Sequence, residues 1–567
     1  MLRLGITLAV VFVGVAVLVL ECLAVTPVLE RRLRLPPGHD EVPVVTGNRT
    51  QQHELLEAGL LVDRTGPSGE PLLELGTGTL GDLDGIDLHD RHVSMLQPRG
   101  GGDNTPEQLD ADRIICSSPH DRPEYSCQNV GMSVTDAPAP EQAPNIITEL
   151  PGPKARVIIE QDERVSSPSL TRVYPLVVDH GEGTVLEDVD GNRFLDFNAG
   201  IAVTAAGHAH PKVNAAIHAQ VDACLHYCSS DFYHPVHAEL CERLADSVPD
   251  GMGPARVFLA NSGTEAVEGA LKLARHHTGR PNVIAFYGAF HGRSLGSLSL
   301  TSSKAKYRSG FGIVTPGSYH APFAFDGELT GADYIEQVLF QRMTEPGDVA
   351  AVFVEPVQGE GGYIVPPPGW LQALRDLCDR HGILLVMDEV QAGIGRTGTM
   401  WACQHDGVMP DIITAGKGLA SGMPLAALIA RDEIMQWAPG KHGSTFGGNP
   451  VACAAALATL DLVTDELAAN ATERGDQLLA GLRQLAQTQP LITEVRGRGL
   501  MIGFDLTDND AAAALEQACF QRGLLVLTCG RRGIRLAPPL VVTAQQADTA
   551  LSIIADACQA VAGGPST

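Results

Sequence analysis

Between about residue 211 and residue 430, apolar positions at helical spacing alternate with short unbroken apolar runs, each closed by a glycine, a hydroxyl or a charge. Short apolar runs between turn signals are the pattern of strands buried on both faces, and their alternation with helices predicts a parallel, helix-covered sheet. Residues 257–260, 284–287, 350–354, 383–387 and 412–415 are such runs. Val267, Ala270, Leu271 and Ala274 share one helical face between the first two. Leu371, Leu374, Leu377 and Cys378 share another, introduced by Pro366-Pro367-Pro368 and ended by Gly382. Upstream, alternation on both sides of Asp190-Gly191-Asn192 predicts a β-hairpin over residues 183–197. From about Glu494 strand and helix patterns alternate again, with 500–504 and 524–527 among the strands, and predict a smaller C-terminal α+β domain.

A length of 567 residues suits two or three domains. The boundaries read from the pattern are 1–25, 26–131, 132–210, 211–490 for the large domain and 491–567 for the small one. Residues 1–25 have the layout of a signal peptide or short membrane anchor: Met1-Leu2-Arg3, an apolar stretch over 4–20, then Glu21-Cys22-Leu23-Ala24. Glu21 immediately before Cys22 argues against a lipoprotein cleavage site. Residues 26–131 turn to Pro, Gly, Asp and Arg with little periodicity, as expected of an extension of low structure. A second reading, which we favour, starts the natural chain at Met132, because Met132-Ser133-Val134-Thr135-Asp136 resembles an ordinary cytoplasmic N-terminus.

A formal charge of -27 argues against a nucleic-acid partner, which would call for clustered Lys and Arg. The apolar fraction of 44% indicates a globular protein with a large core. The 12 cysteines are scattered without a Cys-x-x-Cys, which suits reduced thiols and a cytoplasmic setting. Cys224 and Cys228 would share one helical face but lack further ligands at metal-binding spacing, so no metal is expected. A membrane partner is expected only if residues 1–25 are real and retained.

The chemistry concentrates where apolar runs end. Asp388 closes the run 383–387, and Lys417 follows the run 412–415 between Gly416 and Gly418. In open α/β sheets ligands bind beyond the carboxyl ends of the strands, so the two runs would offer one carboxylate and one amine to a single crevice. Pyridoxal 5'-phosphate needs that pair, an amine to bond it covalently and an acid to keep its ring nitrogen protonated. Ser262, Gly263 and Thr264, between a strand and a helix, bring backbone N–H groups, two hydroxyls and a positive helix end to one point, where either a phosphate or an ordinary helix cap would fit. Glu355 and Glu360 stand on the glycine-bearing loop Glu355-Pro356-Val357-Gln358-Gly359-Glu360.

The stretch from Asp388 through Gly395-Arg396-Thr397-Gly398 to Lys417 resembles the signature of class III, or ω-amino-acid, aminotransferases among the fold-type-I pyridoxal phosphate enzymes, and the resemblance runs from about Pro151 to about Val561. It implies a large domain on a mostly parallel seven-stranded sheet and a smaller α+β C-terminal domain. It assigns Lys417 as the covalent attachment and proton carrier, Asp388 to the ring nitrogen, Gln391 beside Val390 to the ring hydroxyl side, Phe290 to stacking on the ring with His291 beside it, and Ser262, Gly263 and Thr264 to the phosphate. Thr445 would cross a homodimer interface to the partner's phosphate. For the substrate it implies an apolar wall at Ile201, Arg293 on a distal carboxylate, contacts from Glu355, and a switch in which Glu360 pairs with Arg535 for an ω-amine and releases it for an α-carboxylate. The implied reaction moves the amino group of a small amino donor, an ω-amino acid with 4-aminobutyrate as the leading candidate, to a 2-oxo acid, 2-oxoglutarate. Acetylornithine or ornithine aminotransferases and amino-acid racemases of the same branch share these motifs, and a membrane-tethered binding protein is the reading outside catalysis.

Overall fold

The computed structural model describes residues 61–65, 71–75, 143–312 and 314–563; the signal-like stretch 1–25 and the position Met132 lie outside them. Two compact units divide the chain, Met1–Cys127 and Gln128–Thr567. In the first, the described residues are β1 (Leu61–Thr65) and β2 (Pro71–Leu75), paired antiparallel with Leu61 opposite Leu75. They fall within the segment 26–131 in which little structure is expected.

The second unit opens with α1 (Pro153–Val165) and the strands β3 (Val178–Glu182), β4 (Val185–Asp188) and β5 (Arg193–Asp196). Strands β4 and β5 form the expected hairpin. Its turn is tied by Asp188, whose carboxylate accepts the N–H groups of Asp190 and Asn192, and Gly191 takes a φ of 87° that favours glycine.

After α2 (Pro211–Ala223) and α3 (Pro235–Asp246) come β6 (Ala255–Ala260), α4 (Gly263–Thr278), β7 (Asn282–Phe286), α5 (Leu295–Leu300), β8 (Ser318–Ala321), β9 (Val349–Val354), α6 (Trp370–His381), β10 (Leu384–Asp388), β11 (Ile412–Ala415) and β12 (Ala426–Arg431). The sheet order is β6-β12-β11-β10-β9-β7-β8, and only β12 runs against the rest. The sheet is therefore seven-stranded and mostly parallel. Val352, Val354, Leu385, Met387, Ile413 and Ala415 face one apolar cluster; Ala351, Phe353, Leu384, Val386 and Ile412 face the other, which α4 covers. Both faces being buried is why these strands read as unbroken apolar runs rather than alternating ones. Helix α6 buries Leu371, Leu374, Leu377 and Cys378 and stops at Gly382 with a left-handed φ of 61°.

The chain ends with α7 (Pro450–Leu462), α8 (Ala468–Thr488), β13 (Ile492–Arg498), β14 (Met501–Leu506), α9 (Asn509–Phe520), β15 (Leu524–Leu525), β16 (Leu527–Cys529), β17 (Gly533–Leu536) and α10 (Ala544–Ala562). The run 524–527, expected as one strand, is divided. Strand β15 joins β5 in parallel within the sheet β15-β5-β4-β3, while β16 joins β13-β14-β17. N-terminal and C-terminal strands thus share a sheet. A second correction concerns Cys224 and Cys228: α2 ends before Cys224, which is extended at φ -166°, so the two do not share a helical face. Among the described residues no group of His, Cys, Asp or Glu is arranged to hold a metal, and no helix is long and apolar enough to cross a membrane.

Candidate active site

Five parallel strands deliver chemistry at the same sheet edge: β6 leads to Ser262, β7 to Phe290, β9 to Glu355, β10 ends in Asp388 and β11 leads to Lys417. Asp388 pairs in register with Thr414, whose hydroxyl donates to its Oδ1 at 3.1 Å, and the Val390 N–H donates to the same oxygen at 3.1 Å. Its Oδ2 lies 2.7 Å from Nδ1 of His291. Against a carboxylate that nitrogen donates, which fixes the imidazole orientation. Burial disfavours the imidazolium of His291, but the hydrogen bond and charge of Asp388, with Glu355 beyond, outweigh it and hold its pKa above the ordinary histidine range. His291 is thus buried beneath the site as the partner of Asp388, where the resemblance puts it beside Phe290.

Lys417 is half-buried with a left-handed φ of 43°. Burial pushes its amine below the ordinary lysine range; Asp388 opposes this shift, Arg535 adds to it, and Glu355 and Glu360 oppose it. Those four charges are therefore its electrostatic surroundings. The turn around Ile201 borders the same loop, since a Cβ on Gly418 would lie 3.2 Å from Ala205. Ile201 itself is 42% exposed at φ 68°, which takes it out of the core.

Ser262 occupies the N-cap position of α4, yet its side chain makes no cap bond. Gly263 is sterically required: a Cβ there would sit 2.7 Å from Cγ1 of Val390, and one on Gly416 would lie 3.6 Å from the Gly263 nitrogen. The helix start, Val390 and the Lys417 loop are therefore packed together. Thr264 Oγ1 is 2.7 Å from Ser294 Oγ and 2.6 Å from Ser297 Oγ, and Ser294 Oγ donates to Glu268 at 2.6 Å. The sequence reading misses Ser294, Ser297 and Glu268; the position of Glu268 one turn into α4 is a signal only once the facing loop is known.

Glu355, expected among the substrate contacts, is turned inward. It is buried, its Oε1 accepts the Gly359 N–H at 3.0 Å and its Oε2 accepts the Phe290 N–H at 3.2 Å, and burial pushes its pKa up to about 7. It ties the aromatic loop to the Glu360 loop. Phe290 meets Tyr307 edge-on, and the exposed Arg293 lays its guanidinium over the Tyr307 ring at 4.3 Å. Tyr307 is likewise missed from sequence. Gln391 accepts from the hydroxyl of buried Tyr363 at 2.8 Å.

Arg535, on β17, is buried and forms an ion pair with Glu360. Burial alone would raise the Glu360 carboxyl, but the charge and hydrogen bond of Arg535, with Lys304 behind, hold it below the ordinary carboxylate range. Nζ of Lys304 is 3.9 Å from the other oxygen of Glu360. Thr445 stands apart from this group, exposed on the loop before α7 beside Phe446.

A lysine and an aspartate at adjacent strand ends, beside an uncapped helix start on a helix-covered sheet, are the arrangement that a pyridoxal phosphate-dependent enzyme requires. The family model for class-III aminotransferases matches residues 166–558. The chain belongs to that family, and its cofactor is pyridoxal 5'-phosphate. It is 43% identical over 388 residues to the acetylornithine aminotransferase of Methanopyrus kandleri, covering 68% of this chain and 95% of that one. To the 4-aminobutyrate aminotransferase of Mycobacterium leprae it is 39% identical over 439 residues, covering 73% of this chain and 98% of that one. The ornithine aminotransferase of Toxoplasma gondii, solved with partial occupancy of PLP at its active site, superposes with a TM-score of 0.67 at 34% identity, over 72% of this chain and 95% of that one. An amino donor and a 2-oxo acid are accordingly the substrates.

Proposed function

We propose that the protein transfers the amino group of an ω-amino acid, with 4-aminobutyrate as the leading candidate, to 2-oxoglutarate. The observation that carries this reading is the buried Glu360–Arg535 ion pair among the charges around Lys417. With Glu360 in place, Arg535 is neutralised and the pocket suits a substrate that presents only an amine at its reacting end; an α-carboxylate competes with Glu360 for the guanidinium fork. Arg293, on the Tyr307 face, is the candidate for the distal carboxylate, and Ile201 the apolar wall between.

The residues present fit the cofactor. The unspent Ser262 hydroxyl and the positive start of α4 suit its phosphate, and only a glycine at 263 leaves room beside Val390. Bound there, the group supplies an electron-withdrawing ring that stabilises charge at the substrate carbon. Asp388, oriented by His291 and Thr414, would face the ring nitrogen, and Phe290 and Val390 are the candidates for the two faces of the ring. The Lys417 amine, with its pKa depressed, holds the cofactor and then carries the substrate proton on Nζ as general base and acid. Gln391, oriented by Tyr363, is the candidate for the ring hydroxyl. Gly359 and Phe290 keep their places through Glu355.

We also assign a homodimer. Leu225, Tyr227, Phe232 and Phe446 are exposed large apolar residues on two joined loops, with Ser229 bonded to the Gly447 carbonyl at 2.6 Å and Ser230 to the Ser444 carbonyl at 2.9 Å. A second copy covering that patch would bring Thr445 to the partner's phosphate. In this reading residues 211–490 form the large domain and 491–567 the small one, and the enzyme is cytoplasmic.

The test is a panel of amino donors against 2-oxoglutarate with purified protein. 4-Aminobutyrate should be used at least tenfold more efficiently than ornithine or N-acetylornithine. N-acetylornithine in first place would replace this reading with the acetylornithine one, and alanine or serine inversion without any oxo acid would make the protein a racemase.

A further inference from the structure

Glu360 and Arg535 come from different elements, and what keeps them in register is a junction outside the ion pair. The backbone of the 359–362 loop is bound to the sheet that carries Arg535. The Gly530 N–H donates to the Glu360 carbonyl at 2.9 Å, and Nε of Arg496, on β13, donates to the Gly362 carbonyl at 2.8 Å. The other arm of Arg496, Nη2, donates to Asp505 Oδ1 at 2.6 Å on β14, and Glu494 lies 3.5 Å from Nη1. Asp505 is also held by Arg532 at 3.3 Å. The approach is close enough to demand glycine: a Cβ on Gly530 would be 2.8 Å from the Gly361 carbonyl oxygen, and one on Gly503 would be 3.0 Å from that of Gly362. Gly503 pairs in register with Arg535 itself.

We propose that Arg496 is a positioning residue for substrate selection: its fork clamps the 359–362 loop to the C-terminal sheet, so that Glu360 uncovers Arg535 by rotating its side chain toward Lys304 while its backbone stays fixed. The inference rests on the proposed role of the Glu360–Arg535 pair. A loop free to drift would leave Glu360 a weaker competitor for Arg535, and α-carboxylate substrates would gain over ω-amines. Lysine at 496 keeps the charge but lacks the planar fork that spans Gly362 and Asp505.

The experiment compares single-turnover half-reactions of the holoenzyme with 4-aminobutyrate and with glutamate for the wild type, Arg496→Lys, Asp505→Asn, Glu360→Gln, the double variant Arg496→Lys/Glu360→Gln, and Arg535→Ala. Equilibrium binding of the unreactive dicarboxylate glutarate and thermal midpoints are measured in parallel. Arg496→Lys should shift the 4-aminobutyrate to glutamate ratio at least fivefold toward glutamate and tighten glutarate, in the direction of Glu360→Gln, and the double variant should add nothing to Glu360→Gln alone. Asp505→Asn, which leaves the charge of Arg496 in place, should shift the ratio in the same direction and decides the matter if Arg496→Lys fails to fold. A ratio within twofold of wild type in the folded variant, or full multiplication of effects in the double variant, overturns the proposal. Arg535→Ala separates the two layers: selective loss with glutamate leaves the pair's role standing whatever Arg496 does, whereas equal losses with both donors remove the pair's role itself.

Discussion

Lys417 and Glu389 are neighbours of Asp388 in different senses, one across the strand ends and one along the chain, and they carry opposite expectations. Lys417→Ala should abolish amino transfer, because in the proposed mechanism the same Nζ holds the cofactor and moves the proton. Borohydride reduction should no longer fix the cofactor to the chain, while the circular dichroism spectrum stays that of the wild type. Retention of transfer near the wild-type rate would overturn the assignment. Glu389 is wholly buried, with its oxygens accepting the N–H groups of Ala402 at 2.9 Å and Cys403 at 2.8 Å, and burial pushes its pKa up from 4.5 to about 7. A carboxyl whose folded pKa is raised holds its proton more tightly in the folded state. Its contribution to stability is therefore full below the unfolded value and is lost as pH rises through the folded one. Between pH 4.5 and 7 this amounts to on the order of 3 kcal/mol. Glu389→Gln should lower stability overall but flatten its decline across that window in denaturant titrations at stepped pH. An unchanged slope would mean that Glu389 does not titrate there.

The start of α4 illustrates how an element makes a site. Its first N–H groups have no side-chain cap, and its first residue is pressed against Val390 from the loop after β10. Gly263→Ala should therefore weaken pyridoxal phosphate binding to the apoenzyme about tenfold, on the order of 1.4 kcal/mol, by pushing the helix start away from Val390. Val390→Ala in the same chain should restore much of the loss. Equilibrium titration of the apoenzyme reads both, and failure of Val390→Ala to rescue would place the strain elsewhere. The elements themselves were readable along the chain wherever one physical rule dominates: β9 and β10 are buried throughout, so hydrophobicity alone marks them. The run 524–527 reads as one strand because hydrophobicity does not record which sheet a strand joins. Leu524 and Leu525 find β5, some 330 residues earlier in the chain, while Leu527 finds β17.

For the whole molecule, every residue placed in the candidate site lies between Ile201 and Arg535, and the family match begins at residue 166. A chain beginning at Met132 should accordingly be active and dimeric, as read by light scattering and by the donor panel. Activity lost on that truncation would show that residues 1–131 take part. Phe446→Asp, which puts a charge in the exposed apolar patch, should shift the enzyme toward monomer and lower its activity in proportion. An unchanged dimer would move the interface elsewhere.

Class of fold and cofactor were legible along the chain from strand burial together with the resemblance of the motifs, and so was the placing of Asp388 and Lys417 at neighbouring strand ends, because these are local properties that survive without coordinates. The partners of those residues were not. His291 beneath Asp388, Glu355 on the Phe290 N–H, Tyr307 under Arg293 and Arg496 on Gly362 are all contacts across 14 to 134 residues of sequence. Such pairings depend on which strand lies beside which and on the register between them. Neither is encoded in the period of an apolar pattern; both follow only when the sheet closes and the burial of one face obliges each side chain to find its donor or charge.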